Sequence, residues 1–216
     1  MYKLKAKSYK LNRGMTYVEL IVVLSIFSVL TSVVLFNYGD FQAKVDIKIL
    51  ANDIASKIIE VQKAALSGEL PTVDQQNILA ANNQWKPSYG LYFNSSSTDL
   101  DTSISPAVTF NKEIIYFTSF DNINNYYNKL SSDSILDHIR ITKNNSITKL
   151  EAFGCGEVDD LSIVFKRPDS SAFISDSSGY SFCSSFEYAR ITVSSSGSNP
   201  FTAHIRVYPS GRVQIE

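Results

Sequence analysis

The first third of this chain lacks the residues that would interrupt a helix or keep it in water. No proline occurs between Met15 and Leu70, and no charged residue lies between Leu20 and Phe36. Without proline, one long helix can form here. The apolar run from Met15 to Phe36 is as long as the roughly 20 residues that cross a bilayer. The sequence therefore predicts a membrane-spanning helix near the amino terminus.

Basic side chains are scarce beyond position 14. The first 14 residues contain no acid, and their basic residues are Lys3, Lys5, Lys7, Lys10 and Arg13. The remainder has 20 − 5 = 15 basic and 21 acidic side chains, so it lacks the basic face that non-specific nucleic-acid binding needs. A basic tail before an apolar run stays on the cytoplasmic side of the membrane. We therefore expect the chain after Phe36 to lie outside the cytoplasm.

Cysteine and histidine are also rare, with two of each. Cys155 and Cys183 form a disulfide if this part of the chain is exported, and the alternative is two buried unpaired thiols. His138 and His204 are far apart in sequence without clustered metal-ligand partners, which favours strand or surface positions. The polar segment Asp121–Asn125 has isoleucine where a calcium loop needs an oxygen ligand. The sequence thus predicts no metal site and no cofactor.

Catalytic motifs are absent from the sequence as well. It contains no G-x-S-x-G, no P-loop and no dinucleotide fingerprint. The serine clusters at 170–171 and 194–196 are typical of loops. We therefore expect a protein that is not an enzyme. A membrane-anchored enzyme is the alternative, but it would leave unexplained the one acid near the start of the apolar run, Glu19.

Two further interpretations of the apolar run are a secretory signal peptide and a plain membrane anchor. A secretory signal peptide has a shorter apolar core and a small-residue cleavage site, and no clear A-x-A site follows this run. A plain membrane anchor explains the length and the basic flank. It does not explain Glu19, because an ionisable group inside a membrane segment is costly and is usually functional.

The segment RGMTYVEL, residues 13–20, resembles the class III signal of type IV pilins and pseudopilins. The resemblance implies that a prepilin peptidase cuts between Gly14 and Met15 and then methylates the new amino terminus at Met15. Phenylalanine is commoner than methionine at that position in the family. The glutamate at the fifth mature position is here Glu19. It lies near the positive end of the helix dipole and is expected to pair with the amino terminus of a neighbouring filament subunit, which sets the register.

The helical pattern continues beyond the membrane segment. Apolar residues recur at helical spacing and alternate with charged ones, which predicts an amphipathic helix. The predicted apolar positions are Phe41, Val45, Ile49, Leu50, Ile54, Ile58, Val61 and Ala65. Ser67-Gly68 followed by Pro71 predicts the end of this helix. Many pilins have a proline near position 36 of this chain, where the helix softens in the filament, and here any softening would centre on Gly39.

The remaining residues alternate between short apolar segments and turn-forming residues, which predicts seven or eight mostly antiparallel strands. Two of the segments, Ile139–Thr142 and Ile147–Leu150, are expected to form a hairpin, and residues 94–108 and 170–188 to form loops. The predicted strands are Tyr89–Phe93, Glu113–Thr118, Ile139–Thr142, Ile147–Leu150, Leu161–Phe165, Ala189–Val193, Thr202–Tyr208 and Arg212–Ile215. The phrases YGLYF, LSIVFKRPD and VYPSGRVQIE resemble the heads of GspH/FimT-type minor pseudopilins. That resemblance implies a β-sandwich-like head packed on the long helix.

Some FimT-like relatives bind DNA through a carboxyl-terminal G-R-x-R. The matching positions begin at Gly211-Arg212, but glutamine replaces the second arginine. Arg206 and Arg212 are the only basic residues after Arg190. The sequence therefore argues against DNA as a partner and leaves these two arginines as the candidates for any weak contact.

Together these features predict an α+β, pilin-like fold in four parts. They are a cleaved basic leader (1–14), a transmembrane and filament-core helix (15–38), its amphipathic continuation (39–68) and a β-rich head (69–216). The resemblance implies a minor pilin or pseudopilin in a type IV pilus or a type II secretion pseudopilus. Its partners would be prepilin peptidase, other pilins, the inner-membrane assembly platform and, before assembly, membrane lipid. The alternatives are a major pilin and a recognition subunit, either a DNA receptor or an adhesin, displayed on the same fibre. The expected location is the cytoplasmic membrane, spanned once with the head outside, and then the fibre.

Overall fold

A computed structural model describes most of the chain. The described residues are 14–68, 87–119, 126–128, 134–179, 182–196 and 200–216, without the side chain of Asn37. Positions 1–13 of the predicted leader, Pro71 of the predicted helix stop and the polar segment Asp121–Asn125 lie outside these residues. The chain divides into two compact units, Met1–Gln42 and Ala43–Glu216.

Helix α1 runs without interruption from Tyr17 to Ser67 and is 51 residues long. It passes through Gly39 as a regular helix, as the lack of proline predicts. Gly68 follows it with a φ of +66°, a backbone conformation that commonly ends helices. Its first part is long and apolar enough to cross a membrane, with a mean hydropathy of 2.5 over the most apolar window, none of which is buried. The predicted apolar helix near the amino terminus is thereby confirmed.

Within the second unit, α1 buries one narrow face. The buried positions follow alternating steps of four and three residues, which keeps them on one side of a helix. They are Ile47, Ala51, Ile54, Ile58, Val61 and Ala65, and Ala55 and Ala64 on either side of this row are also buried. The predicted burial of Ile54 and Ile58 is confirmed. The prediction was wrong for Phe41 and Ile49, which are 64% and 49% exposed. Ile49 is exposed because it lies opposite the face through Ile47.

In the described part of the chain, twelve strands follow α1. In chain order they are β1 Ser88–Asn94, β2 Leu100–Asp101, β3 Val108–Thr109, β4 Glu113–Ser119, β5 Ser134–Arg140, β6 Ser146–Ala152, β7 Gly156–Val158, β8 Asp160–Phe165, β9 Ala172–Ser175, β10 Ala189–Ser194, β11 Thr202–Val207 and β12 Val213–Ile215. The first sheet has the order β5-β4-β1-β8-β9, and the second has the order β12-β11-β10-β6-β7. Strands β2 and β3 form a separate pair. All described pairings are antiparallel, as the sequence predicts.

One apolar core joins the buried face of α1 to both five-stranded sheets. It contains Ile58 from the helix, Phe93 and Phe165 from the first sheet, and Leu150 and Ile191 from the second, all of them without solvent exposure. The opposite face of the first sheet carries a smaller apolar cluster. That cluster is made of Ile115, Phe117, Tyr127 and Val164. The described residues thus form an α+β fold whose helix packs on antiparallel sheets.

The predicted hairpin between Ile139–Thr142 and Ile147–Leu150 was wrong. Strand β5 ends at Arg140 and pairs with β4, whereas β6 belongs to the other sheet and pairs with β7 and β10. Lys143 and Asn144 form the turn between them, with φ values of 59° and 57°. The chain therefore crosses from one sheet to the other at the point where the sequence suggested a direct return.

The segments expected to be loops contain short strands. Strand β2 lies within 94–108, and β9 lies within 170–188. These strands are too short to show an alternating pattern. By contrast, the last two predicted strands are confirmed, and β11 and β12 pair as a hairpin whose turn contains Gly211. Gly211 in that turn has a φ of +80°, and a Cβ there would lie 2.3 Å from Gln62 Nε2 and from the Ser170 carbonyl oxygen, so the fold requires glycine.

Candidate functional site

The start of α1 is closed by a reciprocal pair of hydrogen bonds. The Thr16 backbone N–H and hydroxyl donate to Glu19 Oε2 at 2.8 and 2.9 Å. The Glu19 backbone N–H in turn donates to Thr16 Oγ1 at 3.3 Å. This arrangement is a capping box, in which a threonine and a glutamate three residues later satisfy helix-start donors that have no partner within the helix.

The capping box gives Glu19 a local role that the sequence analysis missed, although the T-x-x-E spacing carried the signal. Both hydrogen bonds end on Oε2, and no described residue donates to Oε1. The carboxylate therefore combines a satisfied oxygen with one that can accept a further donor. That second oxygen lies at the end of the helix where the backbone dipole is positive and N–H groups are exposed.

Gly14 and Met15 precede the helix in an exposed, non-helical segment. No described atom lies within 4 Å of a Cβ built at Gly14. The fold of the described residues therefore does not require glycine at this position, in contrast to Gly211. Met15 is 65% exposed. Gly14 and Met15 are thus exposed among the described residues, whose packing gives no reason for glycine at position 14.

The two cysteines are joined in a disulfide. Cys155 lies in the turn between β6 and β7, Cys183 lies between β9 and β10, and their Cα atoms are 5.5 Å apart. Backbone hydrogen bonds reinforce the link, because the Phe153 N–H donates to the Tyr188 carbonyl and the Glu187 N–H donates to the Phe153 carbonyl. The bond therefore fastens the segment before β10 to the edge of the second sheet.

Arg206 and Arg212 lie near each other but in different surroundings. The Arg206 guanidinium pairs with the Glu216 carboxylate and sits 4.9 Å from the centre of the Tyr188 ring. Arg212 is exposed and lies 3.9 Å above the Tyr208 ring. The charge of Arg206 is thus offset within the chain, whereas Arg212 keeps an exposed guanidinium.

His138 is brought together with two acids that are distant in sequence. Its Nδ1 lies 3.7 Å from Asp101 Oδ2 and forms a hydrogen bond with Glu113 Oε1. The sequence prediction that this histidine has no clustered metal-ligand partners was therefore wrong. The reason is topological, since β2, the start of β4 and β5 contribute one residue each. The ligand atoms of the three side chains all lie within 4.8 Å of one another.

Asp101 and Glu113 are deeply buried, and their burial determines the electrostatics of the trio formed by Asp101, Glu113 and His138. The side chains of Asp101 and Glu113 are 2% and 0% exposed, and that of His138 is 22% exposed. Burial raises the pKa of Glu113, and the hydrogen bond to His138 opposes that shift. Glu113 Oε2 is buried without a hydrogen-bond partner among the described residues. The trio is therefore the part of the described chain where a cation could be held.

The other histidine lies apart from this trio. His204 is on β11, and its Nδ1 is 3.1 Å from Thr192 Oγ1 on the neighbouring strand. It is a strand residue, as the sequence predicts. Among the described residues, Asp101, Glu113 and His138 form the one group of three or more potential metal-binding side chains.

The chain was compared with protein-family models, curated proteins and solved structures. No family model, no curated protein and no solved structure matches it.

Proposed function

We propose that this chain is a pilin-like structural subunit, cut by a prepilin peptidase between Gly14 and Met15 and assembled into a type IV pilus or a type II secretion pseudopilus. In this proposal, α1 first holds the subunit in the cytoplasmic membrane and then joins the fibre core. The β-rich part is a pilin-like, sandwich-like head outside the membrane. The subunit is a minor component with a structural role, and its partners are other pilins and the assembly platform.

The observation that carries this proposal is the junction at the start of α1. An accessible glycine that the fold does not require precedes a capped helix start, and an uncharged exposed helical face follows it. Large apolar side chains from Leu20 to Phe36 are 45% to 83% exposed. Such a surface requires lipid or other helices around it. In the proposal, membrane lipid surrounds this apolar surface first, and the packed helices of a fibre core surround it after assembly.

The hydrogen bonding of the Glu19 carboxylate is compatible with both environments, the membrane and the fibre core. In the isolated chain its Oε2 oxygen accepts hydrogen bonds from Thr16. In the proposed fibre, Oε1 accepts the amino terminus that cleavage creates on a neighbouring subunit. One carboxylate can then cap its own helix and pair across the interface, so each subunit stacks at a defined height.

Two substitutions at Glu19 distinguish capping from pairing. Glutamine can replace glutamate in a capping box, so Glu19→Gln keeps the helix start but removes the negative charge, whereas Glu19→Ala removes both. We expect both variants to insert into the membrane and lose the leader normally. Both should be depleted in sheared fibres or pseudopili relative to the wild type, with Glu60→Gln on the exposed part of the helix as the matched control. Wild-type levels of the glutamine variant in the fibre would contradict pairing and leave capping as the role of Glu19.

A further inference from the structure

The trio Asp101, Glu113 and His138 lies at the edge of the first sheet and does not take part in the proposed assembly chemistry. Asp101 belongs to the small β2–β3 pair, Glu113 opens β4, and His138 is on the edge strand β5. We propose that these three side chains bind one divalent cation of the zinc class. The ion would fasten the segment that contains β2 and β3 to the outer two strands of the sheet.

The first argument is charge. The Glu113 side chain is fully buried, and a buried carboxylate is costly unless a cation pairs with it. The imidazole supplies at most one positive charge and already has both acids as neighbours. The charge of Arg140, which faces Glu113 across the strands, also acts on Glu113, but its guanidinium is exposed and donates to the Pro106 carbonyl at 3.3 Å. A divalent cation between the three side chains would bring two positive charges directly to Glu113.

The second argument is the direction of the donor atoms. Asp101 Oδ1 accepts the backbone N–H and hydroxyl of Ser103 at 2.8 and 2.6 Å, and these bonds hold its other oxygen towards His138. Such outer contacts orient ligands in metal sites. Glu113 contributes a second oxygen, Oε2, that is buried and has no described partner. A bound ion gives that oxygen the partner it lacks.

The third argument is size. Tetrahedral zinc holds nitrogen and oxygen ligands at about 2.0–2.2 Å, which places neighbouring ligand atoms about 3.3–3.5 Å apart. His138 Nδ1 and Asp101 Oδ2 are 3.7 Å apart, close to that spacing, whereas the hydrogen bond between His138 and Glu113 is shorter and has to open for the ion. It would take the place of the hydrogen atom in the bond between His138 and Glu113.

The donor set selects the class of cation. An imidazole nitrogen suits zinc and its neighbours in the first transition row, whereas calcium and magnesium prefer oxygen ligands alone. Two carboxylates and one imidazole leave a fourth position for water. The partial exposure of His138 provides access for that water and for the ion.

The test uses the full chain in detergent, without a histidine tag, at neutral pH. Zn²⁺ binding is measured by calorimetry, and Co²⁺ binding is measured by its visible absorption. The chain has only two histidines, so His138→Gln has a matched control in His204→Gln. We expect one ion per chain, with affinity reduced tenfold or more by His138→Gln and by Glu113→Gln, and unchanged by His204→Gln.

The absence of one-to-one uptake by the wild type would overturn the proposal without reference to any variant. Equal losses in His138→Gln and His204→Gln would also overturn it. Because Glu113→Gln could impair folding, circular dichroism of each variant is recorded first, and Asp101→Asn serves as the second carboxylate variant. Wild-type affinity in both carboxylate variants would show that the ion binds elsewhere. The outcome is independent of the pilin-like function, since it is measured on the isolated chain.

Discussion

The buried face of α1 allows a quantitative test of the packing that holds the helix on the sheets. Ile58 has no solvent exposure and lies in the core shared by the helix and both sheets. Replacing it with alanine removes three carbon atoms, which at about 0.8 kcal/mol per buried CH₂ amounts to about 2.4 kcal/mol of lost transfer free energy. The cavity left behind raises the expected loss in unfolding free energy to about 3–4 kcal/mol.

Ile49 provides the matched control, because the same substitution is made on the same helix at a side chain that is 49% exposed. Ile49→Ala should change the unfolding free energy by about 0.5 kcal/mol or less, as is usual for surface positions. The assay is denaturant unfolding of the full chain in detergent, followed by tryptophan fluorescence and circular dichroism. Equal losses in the two variants, or a larger loss for Ile49→Ala, would show that the helix buries a different face.

Two further predictions concern the disulfide and the alkaline limit of stability. Replacing both Cys155 and Cys183 with serine should lower the unfolding free energy by about 3–4 kcal/mol on the chain-entropy account for a loop with a sequence separation of 28; unchanged stability in denaturant unfolding would contradict the role of the bond as a fastener. Burial raises the pKa of Tyr92 to about 12, with the nearby Asp160 charge acting in the same direction, whereas an unfolded tyrosine ionises near 10. The protonated phenol therefore adds to the free energy of unfolding in full below about pH 10. This stabilisation is lost as the pH rises towards 12, at up to about 1.4 kcal/mol per pH unit. Relative to Tyr92→Phe, the wild type should lose unfolding free energy between pH 10 and 12, and parallel pH profiles of the two proteins would refute the shift.

The elements that the sequence predicts well are those with long or regular patterns. The uninterrupted helix follows from the lack of proline, and strands β11 and β12 match the last two predicted apolar segments. Strand β1 and strand β4 have aromatic and β-branched runs that mark them clearly. In these cases local composition and the final fold favour the same structure.

The wrong predictions concern places where contacts between residues distant in sequence determine the structure. The sequence pattern placed Ile49 with Ile54 and Ile58 on one predicted face of α1, whereas packing against the sheets buries Ile47 and leaves Ile49 exposed. The turn at Lys143 could return the chain into the same sheet or pass it to the other, and local sequence does not distinguish these outcomes. Short strands such as β2 have too few residues to show a period.

The candidate cation site illustrates the same limit. Asp101, Glu113 and His138 are brought together by the pairing of β4 with β5 and by the position of β2. No spacing in the sequence connects them. The capping box at Thr16 and Glu19 is the opposite case, since its spacing is local and can be read directly.

The most direct test of the proposed function is mass spectrometry of sheared surface fibres and of isolated membrane pseudopilus complexes, reading the amino terminus of this chain and its abundance. The proposal predicts a chain that begins at a methylated Met15 and is present in small amounts relative to another pilin. A methylated Met15 on the dominant species would make this chain the major subunit. A chain that still begins at Met1, or its absence from both fibres and membrane complexes, would contradict the pilin-like function.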